Sequence, residues 1–242
     1  ARAAMRKLLI LSSLSMAQLL AQPVIAPTNE PVGTARGENV AGYNITNSFE
    51  TGYRFHEVDG NPLRYRSDIN FGNGLRLLGS TLTVNSRDGK GKLFDEIVLT
   101  TQGLGNDPYQ FANLRVQRNK IYRYDMLWRT NDYFNPGLTT GTLGGHLLDT
   151  RRQMQDHDFS LFPQSRLRFF AGTSFVTQTG PGLTSVQLFD TRGDEFPLFG
   201  NIDRRFREVR AGAELKLAGF RFLAMQGWQH FEESTAYTLQ AP

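Results

Sequence analysis

The chain contains no cysteine among its 242 residues. Without a thiol it can form no disulfide, no thiolate metal site and no covalent c-type haem attachment of its own. It also lacks any run of 18 consecutive apolar residues, so the sequence predicts no transmembrane helix. These two absences exclude cysteine-dependent catalysis and helical membrane proteins.

Acidic residues are absent from the first 21 positions, where Arg2, Arg6 and Lys7 are the only charged side chains. Removing these three leaves 24 basic and 23 acidic residues, which lowers the net charge from +4 to +1. A nearly neutral body gives no electrostatic reason to expect a nucleic-acid partner.

The N-terminal segment has the features of a secretion signal. It begins basic after Met5, continues through the apolar Leu8-Leu9-Ile10-Leu11 and ends on the small residue Ala21. This order is typical of a cleaved secretory signal peptide, here residues 1–21 with residues 1–4 as extra residues. The alternative is a buried amphipathic helix. Residues 22–42, with three Pro and three Gly, are predicted to be an irregular periplasmic lead-in.

The body of the chain, residues 43–242, alternates with a period of two. In residues 43–55 the odd positions include Tyr43, Phe49 and Tyr53, whereas the even positions are mostly polar. Successive side chains of a strand point to opposite faces, so one face is aromatic and the other polar. The same alternation recurs in residues 63–71, 121–129, 166–175, 207–217 and 220–228, and less regularly in 75–86 and 93–103.

The alternation assigns candidate residues to two faces. The predicted lumen-facing residues are Arg64, Arg66, Asp68, Arg123, Asp125, Arg129, Arg166, Arg168, Glu208, Arg210 and Glu214. The predicted lipid-facing or girdle residues are Tyr43, Phe49, Tyr53, Tyr122, Tyr124, Trp128, Phe169, Leu215, Phe222 and Trp228. Charged side chains on one face and aromatic residues near strand ends on the other are typical of a transmembrane β-barrel.

We therefore predict an all-β fold, an antiparallel transmembrane β-barrel with nine or ten strands of about 8–13 residues. A soluble β-sandwich also alternates with period two and is the alternative fold. A shift of the apolar phase around Gly79 predicts a bulge. Polar stretches at 133–150 and 179–204 are predicted surface loops. Placing both at one end, with a strand at 151–161 between them, makes one strand assignment within 63–103 wrong.

The C-terminal residues Thr238-Leu239-Gln240-Ala241-Pro242 are predicted to form a loop. Outer-membrane barrels usually end on an aromatic residue that closes the last strand. The expectation from this ending is that the barrel is incomplete and that further strands follow.

Sequence motifs for catalysis are weak. Asp156-His157-Asp158 suggests a metal or acid–base site, but neighbouring residues on a strand face opposite ways and cannot converge by themselves. Asp88-Gly89-Lys90-Gly91-Lys92 lacks the spacing of a phosphate loop and is better explained as a hairpin turn. Arg192-Gly193-Asp194 matches an adhesion tripeptide that a turn also explains. We predict no enzyme activity, no cofactor and no metal site in this chain.

Several elements resemble the MtrB/PioB family of outer-membrane barrels over residues 60–235. They are Gly103-Leu104-Gly105-Asn106-Asp107-Pro108-Tyr109, Tyr122-Arg123-Tyr124-Asp125, Arg129-Thr130-Asn131-Asp132-Tyr133-Phe134 and Leu161-Phe162-Pro163. Some members of that family carry a Cys pair near the mature N-terminus, which this chain lacks.

The resemblance implies a barrel in the bacterial outer membrane that sheathes a periplasmic multihaem c-type cytochrome and so supports electron transfer across that membrane. The haems would belong to the partner, and outer-membrane lipid would be the other partner. A general or substrate-specific porin with an open lumen is the competing function. A purely structural or adhesive surface barrel is a third.

Overall fold

The computed structural model describes residues 37–137, 147–187 and 195–239. The predicted signal peptide, most of the lead-in, the Arg192-Gly193-Asp194 tripeptide and the last three residues lie outside these ranges. The described chain forms one antiparallel sheet of eleven strands in which strands β1 to β10 are hydrogen-bonded in sequence order. The prediction of an all-β antiparallel fold is confirmed at this level.

The elements follow one another as a meander. The strands are β1 (Glu38–Val40), β2 (Tyr43–Arg54), β3 (Gly74–Ser86), β4 (Glu96–Leu104), β5 (Tyr109–Arg118), β6 (Tyr122–Asn135), β7 (Leu148–Leu161), β8 (Leu167–Gln187), β9 (Glu195–Leu217), β10 (Phe220–Glu233) and β11 (Ala236–Leu239), with one helix, α1 (Pro62–Asp68), between β2 and β3. Each hairpin step joins neighbours in the sheet, which is the simplest way for an antiparallel sheet to grow.

The last two strands lie end to end on β9. Strand β10 pairs Glu233 with Arg204, and β11 continues the same register by pairing Ala236 with Asn201. Only Ser234 and Thr235 separate the end of β10 from the start of β11. Strands β10 and β11 therefore act as one interrupted strand, which brings the eleven strands close to the predicted nine or ten. The loop predicted for 238–242 is wrong at Thr238 and Leu239, which belong to β11.

The sheet is open. In the described part of the chain, β2 pairs with β1 only from Tyr43 to Ile45, and the outer edge of β10 has no neighbouring strand. Exposed edges carry unpaired backbone N–H and C=O groups that further strands could satisfy. A closed barrel is thus not formed by these residues alone.

The segment predicted as a strand at 63–71 is wrong, because residues 62–68 form helix α1. The Asn61 side chain accepts hydrogen bonds from the backbone N–H groups of Leu63 and Arg64, and Pro62 occupies the first turn. An N-cap Asn followed by Pro is a strong helix start. These local signals override a period-two pattern that extends over only a few residues.

Removing that strand resolves the loop arrangement. The connections β2–β3 and β6–β7 now lie at the same end of the sheet, together with the end of β8 and the start of β9. Most of the connections at the opposite end are short turns, including Ala218-Gly219 between β9 and β10, and the β3–β4 connection there is longer. We call these the long-connection end and the short-turn end. The predicted loop at 179–204 is wrong over most of its length, since β8 continues to Gln187 and β9 begins at Glu195.

Two smaller expectations concern β3 and the lead-in. The register between β2 and β3 shifts at Glu50 and Thr51, where Leu78 has no direct partner, so the bulge next to Gly79 is confirmed. The irregular lead-in assigned to 22–42 is wrong at its end, because β1 pairs with β2 there.

Candidate functional site: a two-faced sheet

The cross-strand register shows which side chains share a face, because directly opposed residues of antiparallel strands point the same way. One continuous row runs Ile97–Val116–Tyr124–Phe159–Ala171 across β4 to β8. A parallel row nearer the short-turn end runs Tyr122–Leu161–Phe169–Ala213–Ala224 across β6 to β10. We call this side the apolar face.

All ten residues predicted for the lipid side share the apolar face by register. They are Tyr43, Phe49, Tyr53, Tyr122, Tyr124, Trp128, Phe169, Leu215, Phe222 and Trp228. Several are widely exposed, including Phe49 at 70% and Trp228 at 60%. The lipid contact itself remains a prediction.

The apolar face is uncovered, which separates this sheet from a sandwich. Among the described residues only Phe134 and Ile202 are buried large hydrophobic side chains, and all strands belong to one sheet. A soluble β-sandwich would bury such a face against a second sheet. The sandwich alternative therefore finds no support in the described part of the chain.

The opposite side, which we call the polar face, carries a hydrogen-bonded chain of charged residues across β6 to β10. Arg129 Nη2 lies 3.4 Å from Asp156 Oδ2, and Ser174 Oγ donates to Asp156 Oδ1 at 2.8 Å. Arg210 donates to Ser174 Oγ at 2.8 Å and to Asp158 Oδ1 at 2.6 Å.

This chain, here called the charged ladder, continues onto β10 through Glu208. Arg210 Nη1 contacts Glu208 Oε1 at 3.3 Å, and Gln229 Nε2 donates to Glu208 Oε2 at 2.8 Å. Charge-assisted hydrogen bonds of this kind lock the side chains against one another and fix the register of the strands.

A second group lies on β5 and β6. Asp125 accepts from Arg115 Nε at 2.8 Å and from Arg123 Nε at 2.6 Å. Arg115 and Asp125 are directly opposed across the strand pair, while Arg123 and Asp125 are two residues apart on one strand and share its face. The carboxylate thus neutralises part of the charge of two guanidinium groups on the polar face.

A third group surrounds Glu214, whose side chain is 3% exposed. Its carboxylate lies 2.8 Å from Arg168 Nη2, 2.9 Å from Arg221 Nη2 and 3.5 Å from Lys216 Nζ. The predicted lumen-facing residues Arg123, Asp125, Arg129, Arg168, Glu208, Arg210 and Glu214 are therefore brought together on one face, with Arg166 in the turn before β8.

The three remaining candidates, Arg64, Arg66 and Asp68, lie in helix α1 and not on a strand. Arg64 pairs with Asp68 at 3.0 Å along the exposed helix surface, as an i,i+4 pair. Arg66 binds Asp149 at 2.8 Å, and its guanidinium lies 4.0 Å from the centre of the Phe134 ring. These contacts are at the long-connection end and not among the polar-face groups, because the segment folds as a helix.

The sequence reasoning missed a row of apolar side chains on the polar face. Met154, Val176, Phe206 and Phe231 are directly opposed in turn across β7, β8, β9 and β10. Phe231 is 59% exposed. Each lies at a polar-face position of its own strand, so a comparison of neighbouring strands would have been needed to find the row. We call it the inner apolar row.

The helical connection reaches one side of that row. Phe71 lines a cavity of about 620 Å³ together with Phe111 and Met154. The Arg54 guanidinium lies 3.9 Å from the centre of the Phe71 ring and also pairs with Asp107 at 3.1 Å. Arg54 and Phe71 therefore hold this connection against the polar face near β5 to β7.

The motif Asp156-His157-Asp158 divides between the two faces. His157 Nδ1 lies 2.8 Å from the Tyr124 hydroxyl on the apolar face, whereas Asp156 and Asp158 bind Ser174 and Arg210 on the polar face. The expectation that the three side chains do not converge is confirmed. Within residues 37–137, 147–187 and 195–239 no group of three or more His, Asp or Glu side chains is placed to hold a metal ion.

No described helix is both long and apolar enough to cross a membrane. Comparison with family models, with curated proteins and with solved structures finds no match for this chain.

Proposed function

We propose that this chain forms the wall of a bacterial outer-membrane β-barrel that sheathes a multihaem c-type cytochrome and so supports electron transfer across the membrane. The observation that carries the proposal is the division of the sheet into an uncovered apolar face and a hydrogen-bonded polar face. In a barrel wall the first would meet lipid and the second would line the lumen.

The height of the apolar face fits a membrane. On β9 it runs from Leu217 to Val209, nine residues, before Arg207 and Arg205 occupy the same face. Roughly 9–11 residues are needed for a tilted strand to cross a bilayer. The rest of β9, from Glu195 to Arg207, would then extend roughly 40 Å along the strand beyond the apolar band.

The inner apolar row favours a filled lumen. An open aqueous pore gives no reason to place the exposed Phe231 beside the half-buried Phe206 and Val176, whereas a contiguous apolar row usually marks contact with another protein. Since the chain has no cysteine, the haem groups of such an assembly would be attached to the partner.

The competing proposal is a porin, favoured by the charges of the polar face, which would set ion preference in an open lumen. The two functions predict different properties for protein purified from outer membranes. A sheath retains a haem-containing partner and passes little current in a planar bilayer. A porin purifies without haem and conducts ions.

The test replaces two members of the inner apolar row, Phe206→Ser with Phe231→Ser, in the protein expressed in its native host. Under the sheath proposal the barrel still assembles in the outer membrane but loses haem-staining partner protein during purification. Gln178→Ser, on the same face but outside the row, is the matched control and should retain the partner. If wild-type protein is purified without haem and conducts ions, the sheath proposal is wrong and the porin proposal takes its place. Wild-type protein absent from the outer-membrane fraction would overturn both.

A further inference from the structure

Most cations on the polar face lie beside a carboxylate, and among the groups described above the largest excess of positive charge is at the short-turn end. Arg210 is matched by Asp158 and Glu208, and Arg129 by Asp156. Around Glu214, in contrast, three cations share a single carboxylate, and Arg166, unpaired among the described residues, lies in the turn before β8. We call Arg166, Arg168, Lys216 and Arg221 the turn-end cation cluster; with Glu214 its net charge is +3 (four cations less one carboxylate).

Two of these cations have unused hydrogen-bonding capacity. The side chain of Arg166 has no ion-pair or hydrogen-bond partner among the described residues, although its carbonyl oxygen accepts from the Lys216 N–H at 2.7 Å. Arg168 Nε is shielded from solvent and has no acceptor in the described part of the chain. The side chains of Lys216 and Arg221 are 58% and 62% exposed. A further anion could therefore bind without displacing Glu214.

Apolar groups lie next to these cations. Arg166, Lys216 and Arg221 line a cavity of about 610 Å³ at the β9–β10 turn, together with Leu217 and Phe220. Leu217 is 55% exposed and Phe220 is 69% exposed. Lys216 and Arg221 lie on the polar face and Leu217 and Phe220 on the apolar face, so the site offers donors for an anion on one side of the turn and uncovered hydrocarbon surface on the other.

We propose that this cavity binds an anionic phospholipid, with the phosphate on Arg166, Lys216 and Arg221 and an acyl chain along Leu217 and Phe220. The inference rests on the proposed function, because it places the β9–β10 turn at the edge of the membrane. At that edge long basic side chains reach the head groups while their stems remain in apolar surroundings. A free phosphate ion would use the cations alone, and an acidic protein would leave the apolar wall of the cavity unfilled.

The experiment measures lipid retained by the purified protein, by native mass spectrometry after exchange into detergent with phosphatidylglycerol or phosphatidylcholine. We expect wild-type protein to retain phosphatidylglycerol preferentially. Arg166→Gln with Arg221→Gln should weaken that retention, by about fivefold for each removed cation. Glu214 keeps Arg168 and Lys216 as partners in this variant, which preserves the fold.

The matched control removes the same charge from another connection at the same end of the sheet. Arg87→Gln with Lys92→Gln changes two exposed cations of the β3–β4 turn, outside the cavity, and should leave lipid retention unchanged. Equal losses in both double variants would overturn the proposal, because they would show a general effect of charge. Complete displacement of the lipid by excess inorganic phosphate would also overturn it, since the acyl chain would then contribute nothing.

A separate readout distinguishes failure of this inference from failure of the proposed function. Protein that integrates into phosphatidylcholine vesicles and resists extraction, yet shows no preference for phosphatidylglycerol, contradicts only the lipid site. Protein that never integrates into vesicles contradicts the barrel wall and the lipid site together.

Discussion

The two faces of the sheet are organised in different ways. On the polar face the side chains bind one another, as in the charged ladder through Arg129, Asp156 and Arg210. On the apolar face residues such as Phe222 and Trp228 are uncovered, with more than half of their surface accessible. The polar face therefore contains most of its own partners, whereas the apolar face needs partners from its surroundings.

The difference shows where substitutions should be costly. A face whose partners lie outside the chain is sensitive to any change that makes it unsuitable for those surroundings. A face that contains its own partners is sensitive to substitutions that overfill its packing or remove hydrogen-bonding groups. Four predictions run from the largest expected effect to the smallest; the first two test the faces themselves, and the last two concern connections outside them.

The largest effect is expected on β8, from single substitutions at two neighbouring residues that lie on opposite faces. Phe169→Arg places a charge on the apolar face and should cost about 2–4 kcal/mol near the membrane midplane. Arg168→Phe should be milder, because Glu214 retains Arg221 and Lys216. Heat-modifiable migration and urea unfolding of the lipid-reconstituted protein measure both. Equal damage from the two variants would show that the inside and outside assignments are wrong.

A substitution at Gly212 tests how closely the side chains on the polar face are packed. A methyl group there would overlap the Phe170 ring and the Ala224 carbonyl oxygen, so Gly212→Ala should destabilise the sheet by about 1–3 kcal/mol. Gly227→Ala is the matched control on the neighbouring strand. Its added methyl group would have only the Val209 carbonyl oxygen nearby, at 3.9 Å, so we expect little change in urea unfolding. A larger loss at Gly227 than at Gly212 would contradict the packing of the polar face.

The connection that contains helix α1 lies at the end of the sheet. A substitution there should therefore destabilise the helix and leave the strands unchanged. Asn61→Ala removes the acceptor for the N–H groups of Leu63 and Arg64, and should cost about 1 kcal/mol of helix stability. Hydrogen exchange of residues 62–68 should rise, while the strands keep their protection. Asn61→Ser retains a capping oxygen and should behave like the wild type. Unchanged exchange in the alanine variant would argue against helix α1.

The smallest effect is expected at the β3–β4 turn, outside both faces. The Lys90 N–H and the Ser86 hydroxyl donate to Asp88, and these bonds lower the pKa of its carboxyl group below 3.8. Because the folded-state pKa is lowered, the stabilisation is complete above pH 3.8 and is lost as the pH falls through the folded-state pKa. Carboxyl chemical shifts followed by NMR should report this titration. A midpoint at or above 3.8 would contradict the turn geometry.

Much of the fold was predictable because alternation is a local property. Residues 43–55 and 121–129 alternate between aromatic and polar side chains, and the structure places β2 and β6 there. The strand at 63–71 was wrong because its alternation competes with Asn61 and Pro62, whose cap and fixed backbone angle favour a helix. These residues were visible in the sequence, and so was the i,i+4 pair of Arg64 and Asp68.

The sequence by itself determined which side chains share a face within each strand, because the period of two is set by the backbone of a single strand. It also determined that the chain has no cysteine for the covalent attachment of haem. Only the tertiary structure decided which strands are neighbours and in what register, since those depend on hydrogen bonds between distant segments. That register joins Arg210 to Asp158, aligns Val176 with Phe206 and Phe231, and gathers three cations around Glu214. None of these groupings follows from a single strand, because their members come from different strands.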